Sequence, residues 1–232
     1  LVVPVGGGGL VSGTALALKS RRPGVRVVGV EAEAAASALA SRRAGKVVKI
    51  RSVDTIADGI ATKEVGELTF ELLERWVDDL VTVTEEELAS AILLLLERKK
   101  TVAEGAGAAG LAALVSGAVE VPEDETVVAV LSGGNIDVNI VSRIIERGLV
   151  ADGRLARLAV TVTDRPGFLA QVSRTVAELG ANVLETHHRR AFADISVGQV
   201  EIVMHLETRG RGHVEELIAA LRDLGHRVEE DL

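Results

Sequence analysis

Val2-Val3-Pro4-Val5-Gly6-Gly7-Gly8-Gly9-Leu10 decides how the chain is read. The apolar run stops in four glycines, and Ser12-Gly13-Thr14-Ala15-Leu16-Ala17-Leu18 resumes with helical spacing, the pattern of a strand, a tight turn and a helix. Glycine has no Cβ, so the N–H groups of such a turn can approach a ligand closely, and the helix points its positive dipole end into the same space. Such places bind anions, most often phosphate. A glycine-rich connection without a ligand is the plainer reading, but it leaves the entropic cost of four successive glycines unexplained.

Two nucleotide signatures compete for this stretch. The triphosphatase loop needs Lys-Ser/Thr after its last glycine, and no Lys follows Gly13. A dinucleotide fingerprint needs Gly-x-Gly-x-x-Gly and an acid roughly twenty residues on. Counted from Gly7 and Gly9, its third glycine falls on Ser12, while Glu31, after Val27-Val28-Gly29-Val30, stands where a ribose-binding acid would. A nicotinamide dehydrogenase therefore stays open.

The 232 residues are 47% apolar, enough for one large or two ordinary domains with a real core. No long apolar span and no signal-peptide pattern is present, which reads as a soluble, cytoplasmic protein without a membrane partner. The absence of Cys removes disulfides, thiolate metal sites and a Cys nucleophile together. A net charge of −8 and 2% aromatic residues argue against nucleic acid. Leu1, rather than Met, heads what reads as a buried strand, and we read the chain as the C-terminal part of a longer protein.

Along the chain, Leu10 to Ser20 reads as a helix and Val25 to Val30 as a buried strand, completing one right-handed βαβ unit. Ala32 to Ala44 reads as helical, and residues 54 to 61 as a loop. Glu64 to Val77 is expected as a helix with Leu68, Leu72 and Trp76 on its inner stripe. Asp79 to Val83 is a strand, and Thr84-Glu85-Glu86-Glu87 a capping box for the next helix. Glu104 to Gly110 is a small-residue loop before a helix, its Glu104 either a helix partner or a site acid. Thr126 to Leu131 is expected as a buried strand ending in Ser132-Gly133-Gly134-Asn135. The carboxyl ends of parallel strands are where ligands gather, and three small-residue segments converge there. A helix from Ile136 to Arg147 precedes a polar connection.

After Arg157 the pattern becomes strand (158–163), helix (Phe168 to Leu179, with Leu169, Val172, Val176 and Leu179 inward), strands at 182–187 and 199–206, helix at 214–224 and a short last strand. That βαββαβ order describes a ferredoxin-like sandwich. His187 and His188, being adjacent on a strand, face opposite ways and read as a solvated edge rather than as two ligands.

Gly6-Gly7-Gly8-Gly9-Leu10, Ala57-Asp58-Gly59, Glu104-Gly105-Ala106-Gly107 and Ser132-Gly133-Gly134-Asn135, followed by Asp164-Arg165-Pro166-Gly167-Phe168-Leu169, resemble the threonine dehydratases. These are pyridoxal-phosphate lyases of the tryptophan-synthase-β-like fold (fold type II), here of the kind that carries one ACT domain. The resemblance implies an α/β chain in two parts: a partial parallel-sheet domain at 1–148, a linker at 149–156 and an α+β ACT domain at 157–232.

By this resemblance Gly6, Gly7, Gly8, Gly9 and Leu10 hold the cofactor phosphate, Gly59 and Glu104 belong to the same site, and Ser132 is a neutral partner for the pyridine nitrogen. The implied reaction takes L-threonine, or more slowly L-serine, to the 2-oxo acid and ammonia. Relatives that racemise serine or dehydrate other 3-hydroxy amino acids share these motifs, and a non-catalytic amino-acid sensor is a further alternative. None of Lys19, Lys46, Lys49, Lys63, Lys99 or Lys100 sits in the Ser-Phe-Lys-like context of the family's Schiff-base lysine, so the piece alone is expected to be inactive. Glu31 matches the first acid of a cation site found in some relatives, but Ser37 stands at the second position. The ACT part implies a homo-oligomer, dimer or tetramer, that binds isoleucine or valine through Arg165, Gly167, Phe168, Leu169 and Asn182.

Overall fold

The computed structural model describes residues 1–190 and 196–230. The chain divides into two compact units, Leu1–Ile144 and Ile145–Leu232. Among the described residues, no helix is long and apolar enough to cross a membrane.

The first unit is built on a parallel sheet of β1 (Val2–Pro4), β2 (Val28–Ala32) and β3 (Asp79–Val83), in that order. Consecutive residues of β1 enter different cores. Val2 packs with Leu88, Ile92, Ala106 and Ala109 of α4 (Glu85–Leu94) and α5 (Gly105–Val115). Val3 packs with Val11, Ala15, Ala38, Phe70 and Leu73 of α1 (Gly9–Lys19), α2 (Ser37–Ala44) and α3 (Glu67–Trp76). Helices thus cover both faces, which is why the strands are apolar on both sides rather than alternating.

Several expectations shift by a few residues. On α3 the inward stripe is Phe70 and Leu73, continued by Val77, whereas Leu68 is 69% exposed. An i, i+3, i+7 set follows the helical repeat more closely than the i, i+4, i+8 set read from the sequence. Trp76 packs at the margin of this core, with the Arg75 guanidinium 5.1 Å from its ring centroid. The capping box is present: Glu87 N–H donates to Thr84 Oγ1 at 3.2 Å and Thr84 N–H to Glu87 Oε2 at 2.8 Å. The expected loop at 104–110 is the first part of α5 itself.

The expected buried strand at 126–131 is reduced to one parallel bridge, Val2 with Ala129. Val2 N–H donates to Val128 O and Val130 N–H to Val2 O. Among the described residues, ladder bonds reach this segment from the β1 side, which leaves it at the edge of the sheet with Val128 56% exposed. An apolar run does not distinguish an edge from a centre.

β2 begins three residues later than expected and includes Glu31, which is fully buried. Its two oxygens accept the N–H groups of Ala38 and Leu39, at 2.7 and 2.8 Å, in the first turn of α2. Free amides and the positive helix end thus satisfy an acid inside the sheet. Gly29 beside it has no room for a side chain: a Cβ would lie 2.6 Å from Leu80 Cδ2 and 2.7 Å from Val5 Cγ2.

The second unit runs β4 (Leu155–Thr163), α7 (Phe168–Glu178), β5 (Asn182–Arg189), β6 (Gln199–Glu207), α8 (Arg211–Asp223) and β7 (Arg227–Glu230). Its antiparallel sheet has the order β5-β6-β4-β7, the expected βαββαβ sandwich. Leu158, Val160, Val162, Ile202, Met204 and Leu206 of the sheet pack against Val172 and Val176 of α7 and Leu217 and Leu221 of α8. Leu169, expected inward, is exposed at the first turn of α7. Helix α6 (Val138–Ala151) continues through Gly148 and β4 starts at Leu155, so only 152–154 of the expected connection lie outside regular elements.

Burial pushes the Glu31 carboxyl up to about 7 from an ordinary 4.5, against the pull of the Ala38 and Leu39 amides. A raised native value means that the folded chain holds this proton more tightly than the unfolded chain does. The stability it adds is complete below pH 4.5 and is lost as pH rises through about 7. Relative to Glu31→Gln, the parent's unfolding free energy should therefore fall by about 3 kcal/mol across that window. Urea titrations at a series of pH values measure it, and parallel pH profiles for the two proteins would refute it.

Candidate functional site

The four glycines after β1 do two different jobs. A Cβ on Gly6 would lie 3.0 Å from Ile60 Cα, and one on Gly8 2.9 Å from Thr69 Cβ, with Gly8 also at φ +88°. Packing and backbone conformation require those two. At Gly7 and Gly9 a Cβ would meet no protein atom within 4 Å. Nothing in the fold calls for their bare backbone, so it is left open toward the cavity they line.

The turn is held from behind by α3. Thr69 Oγ1 lies 2.7 Å from Gly7 O, and Gly66 N–H donates to the same carbonyl at 3.3 Å. In a trans peptide the N–H points opposite to the C=O, so tying Gly7 O to α3 turns Gly8 N–H the other way. Ser12, where the dinucleotide fingerprint wants a glycine, is buried and donates its hydroxyl to Thr69 O at 2.9 Å. It fastens α1 to α3.

The opposite wall comes from the amino end of α5. A Cβ on Gly105 would sit 2.7 Å from Ala57 Cα, and one on Gly107 would overlap Gly133 O. Glu104 N–H donates to Gly133 O at 3.2 Å. The Glu104 side chain makes no cap bond to its own helix. Its Oε1 is directed instead at Gly59 and Gly133, where a Cβ on Gly133 would overlap it.

These segments enclose a cavity of about 290 Å³. Gly6, Gly7, Gly8, Gly9, Leu10, Gly59, Glu104 and Ser132 all line it, so the structure brings together every cofactor-site residue named from the sequence. Pro4, Ile60 and Ala106 line it too. Sequence reasoning missed these three because small and apolar residues there carry the same signal as core. No lysine is among the lining residues. The bare amides at Gly7 and Gly9, set at the positive end of α1, suit a phosphate; the exposed Ser132 hydroxyl suits a neutral ring nitrogen.

Glu31 does not join this cavity. With both oxygens on α2 amides it is neither presented to a ribose nor grouped with a second acid, and Ser37 is buried with its hydroxyl unbonded.

In the second unit, a cavity of about 330 Å³ opens at the amino end of α7. Arg165, Gly167, Phe168 and Leu169 line it, and Gly167 caps α7 at φ +100°. Asn182 does not line it; its amide donates to Glu207 Oε2 across β5 and β6 at 2.8 Å. Asp164, His188 and Arg190 take part instead. Arg190 donates to both Asp164 oxygens, at 2.9 and 3.2 Å, and this contact holds the Asp164 carboxyl below its ordinary value. His188, read from the sequence as part of a solvated edge, thus stands on a cavity wall together with Arg190. Strand alternation puts both on one face, and the β5–β6 register makes that the side of Val200 and Ile202.

Residues 1–133 match the family of pyridoxal-phosphate dependent enzymes, and residues 156–226 the ACT domain. Over 98% of its length the chain is 49% identical to the L-threonine ammonia-lyase of Thermotoga maritima, covering 56% of that protein. It is 46% identical to the L-threonine ammonia-lyase of Geobacter sulfurreducens over 99% of its length, covering 57% of that protein. The chain thus spans little more than half the length of these curated relatives. The crystal structure of a threonine deaminase from T.th. overlays 59% of this chain, and 49% of its own, with a TM-score of 0.56 at 44% identity. With Glu31 sealed inside the sheet and Ser12 bonded to α3, neither residue serves the dinucleotide reading. The chain belongs to the pyridoxal-phosphate dependent enzymes, with an ACT domain following the family's characteristic region.

Proposed function

We propose that the chain is part of an L-threonine ammonia-lyase that converts L-threonine, and L-serine more slowly, to 2-oxobutanoate or pyruvate and ammonia. The observation that carries this reading is the single cavity lined by all eight expected residues, two of them glycines with no packing reason to be glycine. When bound, pyridoxal phosphate supplies an electron sink for the substrate's α-carbon. The amides from Gly6 to Leu10 and the positive end of α1 would hold the phosphate. The Ser132 hydroxyl would hydrogen-bond the ring nitrogen without charging it, favouring β-elimination of water over transamination. Glu104 brings a carboxylate to the wall beside Gly59, where it can accept a proton or a hydrogen bond.

We further propose that the second cavity takes a branched-chain amino acid, isoleucine or valine, in a homo-oligomer. Asp164 and Arg190 offer opposite charges for a zwitterion, the first amides of α7 face a carboxylate, and Val162, Val200 and Ile202 give an apolar wall.

The glycines separate this reading from a merely structural one. Gly7→Ala and Gly9→Ala should leave the melting temperature of the cofactor-free protein unchanged and weaken pyridoxal phosphate binding at least about tenfold, whereas Gly8→Ala should lower stability outright. Equal cofactor affinity in the Gly7 and Gly9 variants, followed by fluorescence titration, would remove the cradle. With no lysine on the cavity wall, residues 1–232 alone should not deaminate threonine, and turnover by this piece would contradict the assignment of the Schiff base to a residue outside it. In the longer enzyme, isoleucine or valine should shift the threonine saturation curve by about fivefold or more. Arg190→Ala should shrink that shift and deletion of 157–232 abolish it; a curve insensitive to both amino acids would argue against the regulatory site.

A further inference from the structure

We propose that Glu185, His187 and His205 form a binding site for one divalent transition ion of the Zn²⁺ type on the outer face of the ACT sheet. The site follows from strand geometry. Glu185 and His187 are two apart on β5 and so share a face, and Glu185 pairs in register with His205 of β6. A bulge between Val183 and Glu185 sets that register. His188 falls on the other face, against Ile202.

The three side chains already converge. Glu185 Oε2 lies 3.2 Å from His187 Nε2 and 3.6 Å from His205 Nδ1, and one donor atom from each residue lies within 4.8 Å of the others. The two imidazoles stand edge to face, 5.8 Å between centroids. A tetrahedral Zn²⁺ with bonds of about 2.0–2.1 Å needs neighbouring ligand atoms about 3.3 Å apart. Two of the three edges are close to that value, so a small turn of one ring completes the set. Two imidazoles and one carboxylate suit Zn²⁺ in charge and softness, and the exposure of Glu185 and His187 leaves the fourth position to water.

The surrounding charges are compatible with an ion. Arg157 of β4 is the register partner of His205 and brings one positive charge, which the ionised Glu185 offsets. Glu230 of β7 is bound to Arg211 at 2.7 Å, and Glu201 of β6 lies 3.5 Å from Arg189. Without an ion, the Glu185 carboxylate stands between the two imidazoles. With one, edge strand β5, exposed along its whole length, is clamped to β6.

Co²⁺, which reports tetrahedral coordination by visible absorption and stands in for Zn²⁺, is titrated into the untagged full chain. The expected result is a saturable band at one equivalent, displaced by Zn²⁺ and lost on addition of a chelator. Zn²⁺ should also raise the melting temperature in a concentration-dependent way. His187→Ala and His205→Ala should each weaken binding at least about tenfold, while His188→Ala should retain it. Glu185→Gln, which keeps both rings and the strand, should weaken binding too, and circular dichroism confirms that each variant is folded. Absence of a saturable band in the unsubstituted protein, or an equal band in both histidine variants, overturns the proposal.

Discussion

Backbone meets backbone at the amino end of α5, and the first unit is arranged around that contact. Gly105 lies against Ala57 and Gly107 against Gly133, at separations that exclude even a methyl group. The helix that makes these contacts is rich in glycine and alanine, so intrinsic propensity gives it uneven support: alanine favours a helix and glycine does not. Burial supplies the difference, since Gly105 through Gly110 are all buried. Because the helix can come so close, Glu104, Gly59 and Ser132 reach the same space as the glycine turn. Larger residues in α5 would push those walls apart and leave three unrelated loops.

The sheet imposes a second constraint through Glu31. A carboxylate at the centre of an apolar strand is normally prohibitive, yet here both oxygens are met by amides at the start of α2. This arrangement fixes where α2 begins and keeps the acid out of solvent. The same physics operates at the cavity with the roles exchanged: amides at the start of α1 have no side-chain acceptor, and the space before Gly7 and Gly9 is open. One helix start is closed by the chain itself and the other is left open.

Much of this was legible in the sequence, because steric rules write strongly in glycine. The turn after β1, the capping box at Thr84 and the βαββαβ order of the second unit all come from local patterns with one physical cause each. Misplaced boundaries trace to tertiary effects. Glu31 reads as the end of a strand because an unpaired charge does not continue an apolar run, and only the distant amides of Ala38 and Leu39 make it permissible. Val127 and Val128 read as buried because β-branched residues favour strands at an edge as much as in a centre. Asn182 reads as a neighbour of the turn at 165–169, but its amide donates to Glu207 across the ladder.

The histidines show where local reasoning ends. Adjacent His187 and His188 do face apart, as alternation requires, and that is a sound reason to reject them as a ligand pair. It says nothing of His187 with a residue two positions back, nor of a third residue eighteen positions on. The partner strand has to be known before Glu185 and His205 become neighbours, and a bulge shifts the pairing by one residue, which would otherwise put the wrong face forward. Ligand sets that span a ladder are invisible to spacing rules because register is a property of two strands together. Any cross-strand cluster of this kind has to be sought in three dimensions, whatever its sequence separation.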